Sequence, residues 1–220
     1  MKAVVDSISD FGNQLIGWWK EQGRSFPWRN TNDPFHILVA EVLLHRTRAQ
    51  NVVPIYLELM RNFSKVHDLS QIGEKSLQRI LSSLGLKWRT KMLLQALRVI
   101  DNDFGGDIPI DKHKLLSLPG IGDYIASAVR VFSISSDDPL IDTNTVRIIS
   151  RVYGIKATDS TRKSKVIASR YSDLRNDADP KAFGFSMIDL ASLICKPRMP
   201  ECSHCPVNKH CITGSVKRKP

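Results

Sequence analysis

The stretch Leu118-Pro119-Gly120-Ile121-Gly122 separates two amphipathic helical patterns, one ending near Ser117 and the next beginning near Asp123. Glycine permits positive φ angles and close approach of the backbone to another group. A turn of this kind can point several backbone N–H groups at one spot, where a phosphate group fits. Proline and glycine also mark ordinary helix–helix turns in any fold. The stretch alone leaves both interpretations open.

Amphipathic helical periodicity recurs on both sides of this turn, whereas the alternation typical of strands is nearly absent. Short polar, Gly or Pro breaks separate the periodic segments. The sequence therefore predicts an all-α fold. The predicted helices are residues 6–22, 34–47, 50–63, 70–83, 87–103, 111–117, 122–133, 142–153, 161–175 and 181–193.

The charge balance indicates a polyanionic partner. The 220 residues are 42% hydrophobic and 25% charged, which is ordinary for a globular protein with one core or two small lobes. The formal net charge is +10, and such an excess attracts nucleic acid. Basic residues concentrate in Lys196–Pro220, where Glu201 is the single acid, and in the acid-free run Leu86–Arg98. A solvated charged surface is the alternative interpretation of each run.

All four cysteines of the chain lie near its C-terminus, in the spacing C-x6-C-x2-C-x5-C: Cys195, Cys202, Cys205 and Cys211. Four thiolates suit one 4Fe–4S cluster or one structural zinc ion. Zinc sites usually present two short pairs, so the six-residue first gap favours iron without excluding zinc or disulfides. Nothing resembles a signal peptide or a membrane span, so we expect a soluble cytoplasmic protein, in which disulfides are rare.

These features together resemble a known family. The stretch Leu118–Gly122, then Tyr124, then Ile141-Asp142-Thr-Asn-Thr-Val-Arg147 and the four cysteines are similar to the endonuclease III superfamily, the helix–hairpin–helix glycosylases of base-excision repair. The resemblance runs from Phe26-Pro-Trp-Arg29 to Cys211. It implies two helical lobes, a six-helix barrel lobe at 26–136 and an iron–sulfur lobe from 1–25 plus 137–220, with a DNA-binding groove between them. It also implies a 4Fe–4S cluster on the four cysteines.

Asp142 and Tyr124 carry the expected chemistry. Asp142 matches the catalytic Asp of the family, and a carboxylate near C1′ stabilises the positive charge that develops on the sugar during N-glycosidic cleavage. An Asp before a helix is also a common N-cap, and both roles can hold at once. Family members that cut the backbone carry a lysine where this chain has Tyr124, and a phenol cannot form the Schiff base. The resemblance therefore implies a monofunctional glycosylase.

The segment around Glu41 favours one branch of the family. A carboxyl group among apolar residues on a helix can donate a proton, although an exposed helix Glu is the simpler alternative. A glutamate here occurs in adenine-specific mismatch glycosylases and in archaeal T:G mismatch glycosylases. His45, Arg46 and Tyr124 depart from the adenine-specific pattern, so the resemblance implies excision of thymine or uracil opposite guanine. Adenine opposite guanine or 8-oxoguanine is the alternative substrate.

The same resemblance implies the DNA contacts. Arg46, next to His45, is expected to enter the duplex where the target base leaves, and Leu86 to wedge from the other side, although Leu86 could simply pack in the core. The remaining expected contacts are to phosphates and involve Gly120, Gly122, Lys196 and Arg198. We expect a monomer that binds mismatched double-stranded DNA. A non-catalytic DNA-binding module with an iron–sulfur cluster is the alternative from another functional class.

Overall fold

The computed structural model describes residues 8–85, 87–156, 161 and 164–216. Within these ranges the secondary structure is helical, without a β-strand, so the all-α prediction is confirmed. None of the described helices is both long and apolar enough to span a bilayer. The α-helices are α1 (Phe11–Gln22), α2 (Pro34–Leu44), α3 (Ala49–Asn62), α4 (Val66–Ser70), α5 (Glu74–Ile80), α6 (Lys87–Phe104), α7 (Lys112–Ser117), α8 (Asp123–Ile134), α9 (Thr143–Tyr153), α10 (Lys165–Arg175), α11 (Pro180–Leu193) and α12 (Ile212–Val216). Short 3-10 helices lie at Pro27–Arg29, Ser82–Leu84, Cys202–His204 and Asn208–His210.

Two predicted helices differ from the observed ones in their division or C-terminal end, and the helices predicted over 6–22 and 161–175 begin later, at Phe11 and Lys165. The prediction of a single helix over 70–83 is wrong, because the chain forms α4, then α5, then a 3-10 turn at Ser82–Leu84. Gly73 adopts extended angles there and begins α5 as its N-cap. The helix predicted over 34–47 ends at Leu44, because His45 leaves the helical region with a ψ of 112°. This early end places His45 and Arg46 on a turn rather than on a helix.

The chain divides into two compact units, and one of them is Ser25–Ser136. Its central element is α2, where every residue from Ile37 to Leu43 is buried. Asp33 caps α2 by accepting a hydrogen bond from the backbone N–H of Phe35, and Pro34 occupies the first turn, where a missing N–H costs nothing. Helix α2 packs against α8, α3 and α6. A helix that is apolar on all sides belongs in a core, which fits this central position.

The second unit combines Met1–Arg24 with Asp137–Pro220. Here α1 packs against α11 and α10, and α9 packs against α11, α10 and α12. The fully buried carboxylate of Asp189 on α11 accepts hydrogen bonds from Trp19 Nε1 at 3.1 Å and Arg24 Nε at 2.7 Å. A buried carboxylate needs such partners to offset the loss of hydration. These bonds therefore attach the N-terminal helix to the C-terminal part of the chain.

Candidate functional site

The two glycines of the Leu118–Gly122 hairpin differ in whether the structure requires glycine at their positions. Gly120 has a φ of 76°, and a Cβ there would overlap the side chain of Met92, so the fold itself requires glycine. Gly122 has a φ of −94° and is the N-cap of α8, and a Cβ there would meet no atom within 4 Å. The positive end of the α8 dipole and its first N–H groups are thus open to an anion approaching the hairpin.

The turn between α2 and α3, which we call the Leu43–Thr47 turn, presents His45 and Arg46. Arg46 has a φ of 58°, which is uncommon for a residue other than glycine and costs free energy. The N–H of Thr47 donates to the carbonyl oxygen of Leu44 at 3.0 Å and closes the turn. Both His45 and Arg46 are exposed. A strained, exposed arginine fits a role in binding better than a role in packing.

A pocket of about 220 Å³ joins this turn, the start of α6 and the hairpin. It brings together four residues that the sequence predicted as functional, His45, Gly120, Gly122 and Tyr124. Its lining residues are Val42, His45, Trp88, Arg89, Met92, Leu93, Pro119, Gly120, Ile121, Gly122, Tyr124 and Ile125. Glu41 is buried on α2 with 7% of its surface exposed, and neither it nor Arg46 lines the pocket.

Sequence reasoning missed the roles of Trp88 and Arg89 in this pocket. The Trp88 ring packs edge-on against His45, with the ring centroids 5.5 Å apart. Arg89 is 2% exposed and donates to the carbonyl oxygen of Leu43 and, at 3.0 Å, to Thr47 Oγ1. His45 is exposed as a whole, but partial desolvation of its ring lowers its pKa, and the charges of Arg46 and Arg89 contribute to the same shift. The acid-free run 86–98 contains both missed residues, but a basic run predicts exposure and not burial.

In the other unit, Asp142 is the N-cap of α9 and forms a capping box with Thr145. Its Oδ1 accepts hydrogen bonds from the backbone N–H of Asn144 at 2.9 Å and of Thr145 at 2.8 Å. Its Oδ2 accepts from Asn144 Nδ2 at 2.8 Å. The N-cap interpretation of Asp142 is thus confirmed. It does not oppose a catalytic role, because the cap fixes the orientation of the carboxylate and the α9 dipole favours its charge.

A chain of hydrogen bonds links Asp142 to the first cysteine. Asn144, which donates to Asp142, accepts at Oδ1 from Arg147 Nη1 at 2.9 Å. Arg147 also donates from Nε to the carbonyl oxygen of Cys195 at 2.9 Å and from Nη2 to that of Ala191. Asn144 and Arg147 belong to the motif on which the resemblance rests, but the motif gives no reason for their identity. The structure supplies it, since they hold Asp142 and the cysteine loop in a fixed relation.

The four cysteines predicted as cluster ligands are half-buried in the second unit. Burial is the main cause that raises the pKa of the Cys205 thiol to about 12, the charges of the other three cysteines contribute to the rise, and a backbone hydrogen bond at Val207 opposes it. Arg151 Nη1 donates to Cys195 Sγ at 3.2 Å, and the N–H of Gly214 donates to Cys211 Sγ at 3.4 Å. Such donors stabilise thiolate charge and are typical around iron–sulfur clusters. No described set of three or more His, Cys, Asp and Glu side chains is arranged to hold a single metal ion.

The loop that follows Cys195 carries two of the four predicted phosphate contacts, Lys196 and Arg198. Lys196 forms an ion pair with Glu201 in the same loop, which offsets part of its charge. Arg198 is exposed. Arg151 donates from Nη1 to the carbonyl oxygen of Lys196 and from Nη2 to that of Pro197, both at 2.7 Å, and so fixes the start of the loop. The predicted wedge residue Leu86 lies outside the described residues.

The chain belongs to the HhH-GPD superfamily of base excision DNA repair proteins, whose family model matches residues 39–171. This confirms the family predicted from the motifs. The chain is 39% identical to a thymine-DNA glycosylase of Aeropyrum pernix, across 93% of this chain and 94% of that protein. It is 34% identical to a thymine/uracil-DNA glycosylase of Pyrobaculum aerophilum, across 92% and 90%. The solved structure of a thermostable thymine-DNA glycosylase, 29% identical, matches with a TM-score of 0.87 and covers 96% of this chain and 98% of that one.

Proposed function

We propose that this protein is a monofunctional DNA glycosylase that hydrolyses the N-glycosidic bond of thymine or uracil mispaired with guanine. The observation that carries the proposal is the Asp142 carboxylate, which the α9 capping box and Asn144 hold at a helix N-terminus. The choice of pyrimidine rests on the two relatives named for thymine or for thymine and uracil, to which the chain is similar over more than nine-tenths of its length.

Asp142 supplies the charge that the reaction needs. As the bond between C1′ and the base breaks, positive charge develops on the sugar, and a fixed carboxylate stabilises it. Asn144 occupies Oδ2 from one side and backbone N–H groups occupy Oδ1, so the carboxylate cannot rotate away. The same carboxylate orients the attacking water. Its capping bonds thus pre-organise the group before substrate arrives.

Glu41 and Tyr124 determine the course of the reaction. Glu41, buried on α2, donates a proton or hydrogen bond to the departing base. Tyr124 follows the hairpin at the start of α8, the position from which a lysine would attack C1′. A phenol does not form a Schiff base, so the reaction stops at the abasic site. The product strand is intact until another enzyme or alkali cleaves it.

DNA binding uses several parts of the chain. The α8 N-terminus at Gly122, the hairpin backbone at Gly120, and the side chains of Lys196 and Arg198 hold phosphates. The target base must leave the base stack before an enzyme can reach it. Arg46 and His45 enter the duplex at the site that the base has left. The four cysteines would hold a 4Fe–4S cluster, whose part would be to support the loop bearing Lys196 and Arg198, since hydrolysis needs no electron transfer. The protein binds double-stranded DNA as a monomer.

The proposal is tested by incubating end-labelled duplexes that contain T:G, U:G, A:G, A:8-oxoguanine or C:G, each divided between alkali-treated and untreated samples. We expect strand cleavage at T:G and U:G only after alkali, and none at C:G. Cleavage at the adenine pairs instead would replace the substrate with adenine. Cleavage without alkali would contradict the role of Tyr124. Tight binding without release of any base would favour the non-catalytic module.

A further inference from the structure

The Leu43–Thr47 turn has an unusual support. Helix α2 ends at Leu44, and the last carbonyl groups of a helix have no partner within it. No basic residue of α2 itself lies in its last turn. Instead Arg89, in the first turn of α6, donates to the carbonyl oxygen of Leu43. A guanidinium at this end also complements the negative end of the helix dipole.

Arg89 holds the turn from both ends. One guanidinium nitrogen binds Leu43, on the N-terminal side of the strained Arg46, and the other binds Thr47 Oγ1 on its C-terminal side. The planar fork of arginine makes two such bonds at once, which an ammonium group cannot reproduce. Strained backbone persists only where its surroundings fix it. The contacts of Arg89 provide that constraint directly around Arg46.

Burial of the Arg89 guanidinium costs desolvation free energy, and no ion pair within the described part of the chain offsets it. The side chain is 2% exposed, and its Nε lacks a hydrogen-bond partner. Across the ranges described above, no carboxylate lies within ion-pair distance of it. A hydrophobic side chain of similar volume often stabilises a fold as well as or better than a buried charge. Packing alone therefore gives no reason for arginine at this position, whereas the two acceptors of the turn do.

We propose that Arg89 is a positioning residue, which holds the Leu43–Thr47 turn in the strained form that presents Arg46 and His45 to DNA. The neighbouring Trp88 supports the same turn through its edge-on contact with His45. Arg89 itself is buried, and its side-chain hydrogen bonds are made to the turn. The proposal deepens the proposed function and rests on it for the role of Arg46, but the effect of Arg89 on the turn is independent of any reaction.

The first experiment measures the turn itself. Amide hydrogen exchange in residues 43–48 is compared between the wild type and Arg89→Met, with Arg98→Met as the matched control. Arg98 lies on the same helix and donates to the carbonyl oxygen of Ser70, so its replacement removes the same charge and one carbonyl contact elsewhere. We expect exchange in 43–48 to accelerate about tenfold in Arg89→Met and to be unchanged in Arg98→Met. Equal protection in all three proteins would overturn the proposal.

The second experiment is a double-mutant cycle of Arg89→Met and Arg46→Ala, with the affinity for a T:G duplex relative to a C:G duplex as the measured quantity. If Arg89 acts through Arg46, each single variant loses about tenfold in this selectivity and the double variant loses no more than Arg46→Ala alone. Multiplicative losses would contradict positioning. A purely structural role would lower the melting temperature without changing the selectivity.

A second pair of variants keeps the proposal testable if Arg89→Met does not fold. Thr47→Val removes one acceptor of Arg89 with little change in volume, and Thr47→Ser retains the hydroxyl. We expect Thr47→Val to lose both the selectivity for the T:G duplex and the amide protection of residues 43–48. We expect Thr47→Ser to retain both. The same loss in both variants would overturn the proposal. If exchange responds as expected while no duplex is preferred, the positioning role stands and the proposed function fails.

Discussion

Replacement of Asp142 by asparagine separates its two roles, the helix cap and the catalytic charge. Asparagine keeps an oxygen that accepts from the N–H groups of Asn144 and Thr145, and Asn and Asp are about equal as N-caps. Asp142→Asn therefore loses only the negative charge at the α9 N-terminus and the hydrogen bond that Asn144 Nδ2 donates to Oδ2. In the variant, Asn144 Nδ2 would face another amide nitrogen, which is also a donor. We expect these losses to lower the free energy of unfolding by about 1–2 kcal/mol.

The expected loss of activity is larger. Removal of one group that stabilises developing charge in a transition state typically costs about 10²–10³ in rate, which is about 3–4 kcal/mol. The assay is single-turnover release of base from a T:G duplex at saturating protein, read with the melting temperature of each variant. Asp179→Asn is the matched control, because Asp179 caps α11 by the same kind of bond, to the N–H of Ala182 at 2.7 Å. It should lose similar stability and no activity.

Release of base by Asp142→Asn within about threefold of the wild-type rate would contradict a catalytic role for Asp142. An equal loss of activity in Asp179→Asn would contradict it too, since the effect would then follow stability. Asp142→Ala adds a further check, because it removes the cap as well as the charge. It should be about 1 kcal/mol less stable than Asp142→Asn at a similar residual rate.

Three further predictions concern the hairpin and the turn. Tyr124→Lys should form a covalent complex with DNA that borohydride traps, and absence of that complex would place residue 124 away from C1′. Gly120→Ala should lower stability by about 2–4 kcal/mol and Gly122→Ala by less than about 0.5 kcal/mol in chemical denaturation, because only the first requires positive φ and meets other atoms. Arg46→Ala should raise the pKa of His45 in an NMR titration yet leave it below 6.5, because partial desolvation of the ring is a larger cause than the charge of Arg46. Because the pKa of His45 is lower in the folded protein than in the unfolded chain, protonation of its ring favours unfolding. The contribution of the neutral ring to the free energy of unfolding is fully present above pH 6.5 and is lost as the pH falls through the folded pKa. Arg46→Ala should reduce this loss.

The features predictable from sequence are those with local causes. The hairpin was predictable because proline and glycine act within a few residues, and the cap at Asp142 because its partners lie two and three residues along the chain. The early end of α2 had no such local signal, and the division of 70–83 was missed although Gly73 marks it. At Leu44 the chain leaves the helix without a glycine or proline to mark it.

The supports of the candidate site were beyond sequence reasoning because their partners are distant along the chain. Arg89 and Leu43 are 46 residues apart, and Arg147 and Cys195 are 48 apart. In both cases an arginine donates to backbone carbonyl groups, which every residue has, so no residue type identifies the acceptor. Only the folded chain shows that these arginines fix the elements on which the predicted functional residues lie.

We expect the protein to hydrolyse the bond between a mispaired pyrimidine and its sugar. The most direct measurement is mass spectrometry of both products after a single turnover on a duplex with one T:G pair. We predict free thymine, together with a full-length strand that carries one abasic site. Free adenine, a strand already broken at the mismatch, or the absence of free base at saturating protein would contradict the account.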